Sequence, residues 1–297
     1  MEMTNCGLCP RNCGADRTVK TGICGEGREV RIAYYGRHMW EEPCIGMEEG
    51  SGTVFFSGCP LKCVYCQNYG VSRGKLGKKV SEWELASIFK ELKDMGCRNI
   101  DLVTPGHFMP QVLSALDMAG DLGLPVVFNS GGYENPRTLK MAEGHIDIYL
   151  PDFKYKSKEL SERYSACADY YDRAMESLSE MLRQQPEAVY DSKGGLLKGV
   201  IIRHLVLPGG YKDSVEILTD IARNFGTKGF LLSLMSQYTP MPSCAAFPEI
   251  NRRITTFEYK KAAAKAVELG FEGYFQDMSS SSSQYIPPFG QDGVKGK

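Results

Sequence analysis

The chain has 297 residues, which at roughly 150 residues per domain fits two domains or one large α/β barrel. Hydrophobic residues make up 42% and charged residues 24%, proportions that exclude a disordered, collagenous or coiled-coil chain as the main description. With 35 Lys+Arg against 36 Asp+Glu the net charge is −1, so no broad basic field drives binding to nucleic acid or to an anionic membrane.

Residues 1–50 have weak periodicity and many Gly and Cys, and are expected to form a small loop-rich metal-binding module. From residue 53 the pattern changes. Residues 53–57 are β-branched and aromatic and predict a strand. Ser81-Glu-Trp-Glu84 is a capping box, and the amphipathic run to Met95 predicts a helix ended by Gly96. Strand then alternates with helix: 99–104 and 109–122, 126–129 and a short helix after Pro136, 147–150 and two helices before Gln185. The alternation continues with strand 200–207 and helix 213–225, strand 230–235 and helix 256–269, and a last short strand through Tyr274 and Phe275. Such alternation predicts a parallel sheet with crossover helices. Six units are too few for the eight-fold closed barrel, so the expected fold is an α/β partial barrel over residues 51–278. The serine run 279–283 opens an expected flexible tail, 279–297.

No apolar run reaches the roughly 20 residues of a membrane span; residues 200–207 are broken by Arg203 and His204. The N-terminus has no basic segment followed by an apolar one, so the expected location is the cytoplasm. In that reducing compartment, the 11 cysteines point to metal rather than to disulfides. Two groups stand out. Cys6, Cys9, Cys13 and Cys24, spaced C-x2-C-x3-C-x10-C, suit a tetrahedral zinc site or a fully ligated iron–sulfur cluster. Cys59, Cys63 and Cys66, spaced C-x3-C-x2-C, lie in the loop after the first barrel strand. Three thiolates there suit a [4Fe–4S] cube with one iron left open; the blander alternative is a zinc loop that borrows a distant ligand. Cys44, Cys97, Cys167 and Cys244 have no partners by spacing and are expected to be mostly buried hydrophobes. The chemistry-bearing residues Cys59, Thr104, Asn129, Asp152, Arg203 and Gln237 each fall at or near the C-terminal end of a predicted strand, the edge where parallel α/β folds bind ligands.

Cys59-x3-Cys63-x-Tyr65-Cys66 after the first strand of a six-unit βα barrel resembles the radical S-adenosylmethionine (SAM) superfamily. The flanking Val54-Phe-Phe-Ser-Gly-Cys59 and Cys66-Gln-Asn-Tyr are similar to the pyruvate formate-lyase activating enzyme-like group. Several segments resemble its PflX-type branch: Cys6-Gly-Leu-Cys-Pro-Arg-Asn-Cys13, Thr104-Pro-Gly-His107, Tyr149-Leu-Pro-Asp-Phe-Lys-Tyr155, Arg203-His-Leu-Val-Leu-Pro208 and Met235-Ser-Gln-Tyr238. The resemblance implies a radical SAM partial (β/α)6 barrel whose cluster cleaves SAM to methionine and a 5′-deoxyadenosyl radical. It also implies an electron donor such as flavodoxin or ferredoxin. The substrate is left open: a glycine of a partner glycyl-radical enzyme, which the N-terminal cysteine module and the missing Gly-Gly-Glu argue against, or a small molecule or unrelated peptide.

The same resemblance supplies a provisional SAM site. Tyr65 is similar in position to the aromatic near the adenine. Asp152-Phe-Lys154 resembles the Asp-Leu-Lys motif of glycyl-radical activating enzymes, a charged pair suited to a zwitterionic methionine tail. Thr104 and His107 stand where related enzymes have Gly-Gly-Glu. Asn129 and Ser130 are candidates for the ribose hydroxyls, with a turn role as the alternative before Gly131-Gly132. Gln237 stands near a SAM-contacting His of the relatives, and Arg203 is a candidate to balance cluster or SAM charge. His38 and His145 are expected to be ordinary surface or core residues. The competing reading is a non-catalytic zinc or iron–sulfur electron-transfer protein, which needs neither an open iron nor a ring of polar residues.

Overall fold

The structure is a computed structural model, and it describes residues 4–74 and 76–276. The tail expected at 279–297 lies outside the described residues. In chain order, β1 (Val30–His38) leads through α1 (Pro43–Gly46) to β2 (Ser51–Phe56), followed by α2 (Tyr69–Ser72) and β3 (Lys78–Val80). Then come α3 (Glu82–Asp94), β4 (Ile100–Val103), α4 (Met109–Ala119), β5 (Val126–Ser130), α5 (Pro136–Met141) and β6 (Ile148–Pro151). After α6 (Lys158–Ser165) and α7 (Tyr170–Gln184), the short β7 (Val189–Tyr190) turns back into β8 (Leu196–Leu205). The chain ends with α8 (Tyr211–Phe225), β9 (Leu231–Met235), α9 (Thr256–Leu269) and β10 (Gly273–Phe275).

One ten-stranded sheet runs in the order β10-β9-β8-β6-β5-β4-β2-β1-β3, with β7 paired to β8 off this path. From β2 to β10 every neighbour on the path is parallel, while β1 joins β2 and β3 antiparallel. The path has two ends, so the sheet is the expected partial barrel, with β10 added as a parallel strand beyond the six repeated units. Residues 30–38 correct the expected extent of the loop-rich module: Tyr34 to His38 register against Phe55 to Ser51 and extend the sheet.

The alternation of side chains along each strand sorts the core. Phe128, Tyr149, Val200, Ile202 and Leu232 face the helices and belong to the main apolar cluster. Val127, Ile148, Leu150 and Ile201 point to the other face and pack with Cys44 and Ile45 of α1. Asn99 Nδ2 donates to the Ile45 carbonyl at 2.9 Å. So α1 plugs the floor of the barrel, and the strand C-termini form its mouth.

Helices α3, α4 and α9 begin where the sequence predicts, while α8 starts two residues earlier, at Tyr211. Ser81 and Glu84 make a reciprocal capping box at α3, and Thr255 and Glu258 make another at α9, each satisfying two otherwise free backbone N–H groups. No helix among the described residues is long and apolar enough to cross a membrane.

Candidate active site

The loop after β2 carries the three cysteines. It leaves the strand through Gly58, whose φ of +82° is left-handed and whose Cβ, if present, would sit 2.8 Å from the Cys24 carbonyl; only glycine meets both conditions at low cost. The loop is then tied from several sides. Cys59 N–H donates to the Cys24 carbonyl at 3.2 Å and Val64 N–H to the Tyr164 carbonyl at 2.8 Å. Arg11 Nε donates to the Pro60 carbonyl at 3.0 Å and Arg73 Nη2 to the Lys62 carbonyl at 3.1 Å. Ser165 Oγ donates to Cys63 Sγ at 3.0 Å.

Cys59, Cys63 and Cys66 are free thiols and line one cavity of about 240 Å³ at the barrel mouth. Burial, reinforced by the neighbouring thiols, pushes Cys59 up to about 12 and Cys66 to about 11. Left alone, these groups hold their protons; a cationic centre that replaces the protons relieves that cost. The cysteines are presented on one loop with a free cavity in front of them, and they fit a cluster held at three corners.

Tyr65, between the second and third cysteines, is 6% exposed. Its ring lies among Tyr155, Tyr164 and Tyr238, with centroids 6.3, 6.5 and 5.9 Å away. Thr104 follows β4 with a φ of +60°, a strained backbone for a β-branched residue, held by its N–H bond to the Asn129 carbonyl at 2.7 Å. Asn129 and Ser130 end β5. Gly132, next in the turn, could not carry a Cβ, which would fall 2.0 Å from the Asp152 carbonyl.

Asp152 is the electrostatic hub. It accepts from Lys154 Nζ at 2.5 Å and from Arg203 Nε at 2.9 Å. Burial alone would raise its carboxyl, but Arg203 and then Lys154 outweigh burial and hold it below the ordinary carboxylate range. Arg203 also donates to Asn129 Oδ1 at 2.6 Å. Thr104, Asn129, Ser130, Asp152, Lys154, Arg203, Gln237 and Tyr65 all line the cavity that holds the three thiols.

His107 is the exception: it is not among the residues that line the cavity. Pro105 starts a tight turn over Gly106–Phe108 that rotates the imidazole back behind the cysteine loop. There Nε2–H donates to the Ser57 carbonyl at 2.7 Å. Burial drops its pKa to about 3, so it braces the loop as a neutral ring. His145 pairs with Asp117 at 3.0 Å, away from the mouth, while His38 lines the cavity.

Three acidic residues were not singled out by sequence reasoning. Glu41 and Asp101 line the same cavity, and Glu42 borders an adjoining hollow. Asp101 carried a usable signal: a charged residue in the apolar run Ile100-Asp-Leu-Val103 of a buried parallel strand needs a polar partner or a ligand.

The first cysteine group sits against the second. Cys24 and Cys59 are joined by the backbone bond above, and a Cβ on Gly22 would lie 3.3 Å from Cys13 Sγ and 3.5 Å from Cys24 Sγ. Burial, the largest influence, raises Cys9 to about 12, with Cys24 and Cys6 close enough to add to it. Arg17, 2% exposed, stacks over Phe108 at 5.2 Å and donates to the His107 carbonyl. Among the described residues, no set of three or more His, Cys, Asp or Glu in either group converges on a single ion.

Comparison with known proteins bears on this geometry. Residues 48–119, which span the cysteine loop, match the 4Fe-4S single cluster domain. A crystal structure of Streptococcus suis SuiB bound to precursor peptide SuiA aligns at a TM-score of 0.48 and 11% identity, over 75% of this chain and 48% of that one; a likeness of that depth carries no argument about chemistry. The uncharacterized protein MJ0674 of Methanocaldococcus jannaschii is 31% identical over 271 residues, 87% of this chain and 73% of the relative. With that identity over most of both sequences, the chain belongs to the family of the archaeal protein, and the segment that matches the 4Fe-4S single cluster domain contains Cys59, Cys63 and Cys66.

Proposed function

We propose that the protein is a radical SAM enzyme of the activating-enzyme-like type, in the PflX-type branch that its sequence segments resemble. The observation that carries the reading is the joint placement of three free thiols and a ring of strand-end polar groups around one cavity. Cys59, Cys63 and Cys66 would hold a [4Fe–4S] cluster and leave one iron for SAM. Held there, such a cluster would supply the one electron for reductive cleavage of SAM, and so the means of hydrogen-atom abstraction from a substrate.

The chain's own groups bind, orient and exclude water. Asp152 and Lys154 offer opposite charges to the ammonium and carboxylate of the methionine tail. Asn129 and Ser130 offer hydrogen bonds to the ribose, Tyr65 an aromatic edge to the adenine, and Thr104 and Gln237 further polar contacts. Arg203 keeps Asp152 ionised and oriented. A non-catalytic electron carrier would not need this polar, concave mouth beside the cluster loop. The four N-terminal cysteines would hold a second centre, zinc or an auxiliary iron–sulfur cluster. The reductant would be a flavodoxin or ferredoxin, and the setting the cytoplasm.

The experiment is anaerobic reconstitution, reduction and addition of SAM. The reading predicts 5′-deoxyadenosine and methionine from the parent protein and neither from Cys63→Ala. Product from the variant, or none from iron-loaded parent, contradicts it.

A further inference from the structure

We infer that Glu41, Glu42 and Asp101 form a seat for a cationic group of the substrate, an ammonium or guanidinium carried on an apolar body. The inference rests on the enzymatic reading above, in which this side of the mouth receives substrate.

Asp101 is fully buried at 0% exposure, and its Oδ1 has no hydrogen-bond partner. Its register against Thr53 and Val127 turns it to the barrel interior, where it lines the cavity. The Glu41 carboxyl lies against it. Two carboxylates are acceptors only, so neither can satisfy the other once both are ionised. Asn129 Nδ2 donates to Glu41 at 3.1 Å and reaches Asp101 only at 3.5 Å.

The local charge does not balance. Glu41, Glu42, Asp101 and Asp152 face Arg203 and Lys154. Both cations are engaged by Asp152, and Arg203 stands 3.8 Å from Glu41. Burial keeps His38 toward its neutral form. An excess of buried negative charge takes up either protons or a cation. Without ligand, burial and then Glu41 drive Asp101 toward the protonated form. A cationic ligand would displace that proton and meet the Asp101 and Glu41 carboxylates together, with Glu42 on the side of the adjoining hollow.

The shape supplies the second half of the description. Glu41 and Arg203 also border an adjoining hollow, whose walls include Met39, Trp40, Met47, Met235, Tyr274 and Phe275. Its apolar walls lead to the acidic seat, so they suit an aliphatic or aromatic body with the cation foremost. Such a cation belongs either to a free amine or to a basic side chain of a peptide.

Calorimetry on the cluster-loaded, unreduced protein tests this with two probe pairs. One is phenethylamine against its neutral alcohol. The other is a capped pentapeptide with one lysine among alanines, against its norleucine counterpart. At least one cation should bind ten times more tightly than its neutral control. That preference should be lost in whichever of Asp101→Asn and the more accessible Glu41→Gln melts like the parent. The pair that shows the preference identifies the source. Equal binding of cation and control in both pairs, or a preference that survives in the folded variants, overturns the seat. Production of 5′-deoxyadenosine is scored separately, so loss of the seat and loss of the radical SAM reading are distinguishable.

Discussion

Asp152 shows how a single residue organises this mouth. One carboxylate holds Lys154 and Arg203 at 2.5 and 2.9 Å, and Arg203 in turn fixes Asn129. Asp152→Asn leaves two largely buried cations without their anion, which should destabilise the fold by about 3 kcal/mol in a denaturant melt. It should also weaken SAM binding about tenfold in equilibrium dialysis, since one charge-assisted contact is worth about that factor. An unchanged melt would mean that the pair is solvated and unimportant. The residue scale also shows where sequence was informative. The cysteine spacing and the strand-end polar residues were legible because type and position alone define them. His107 was legible as a position but not as an orientation: the turn begun by Pro105 decides which way its ring points. Asp101 was legible as a charge within an apolar strand but not as a cavity-lining residue, for a related reason. Only the pairing register tells which face of a strand enters the cavity.

At the scale of elements, local signals located most helices and strands. The capping box at α3 falls where Ser81 and Glu84 put it, and the structure adds a second at α9 from Thr255 and Glu258. Sequence reading did not find β1, nor the shorter α1, α2, β3 and β7. The β1 run Val30-Arg-Ile-Ala-Tyr-Tyr35 has strand character, but it is embedded in a Gly- and Cys-rich stretch whose composition dominated the reading. Antiparallel pairing of β1 with β2 and β3 likewise depends on long-range contacts that no local pattern encodes. The α9 cap offers a pH test. Glu258 accepts from Arg252 at 2.7 Å, from Gly209 N–H at 2.6 Å and from its own cap residue Thr255 at 2.7 Å. Arg252 is the largest influence, and the carboxyl is held down at about 2. A depressed pKa contributes stability that is complete above the ordinary value near 4.5 and is lost as pH falls toward 2. Glu258→Gln should therefore melt below the parent at neutral pH, with the gap closing through that window. A gap that stays constant from pH 6 to pH 2.5 would contradict the assignment.

For the whole molecule, the partial barrel places the C-terminal ends of its parallel strands on one rim, and the N-terminal segment closes against that rim instead of standing apart. Arg11 spans the two parts: it donates to the carbonyls of Pro60, Ser165 and Ala166 at 3.0, 3.0 and 2.6 Å, and its guanidinium stacks 5.5 Å from the Tyr133 ring. Arg11→Ala should loosen the cysteine loop without removing a ligand. The loaded protein should then lose its visible absorbance to a chelator several-fold faster than the parent, while binding the same iron at the outset. Equal rates would show that the N-terminal segment does not brace the site.

The most direct test of the central claim is the electron paramagnetic resonance spectrum of the reduced, iron-loaded protein before and after SAM is added. A cluster held by Cys59, Cys63 and Cys66 alone should give a [4Fe–4S]+ signal whose shape changes with SAM, and Cys63→Ala should lose that SAM-responsive signal. A signal indifferent to SAM, or protein that binds zinc at those three cysteines and no iron, would contradict the account.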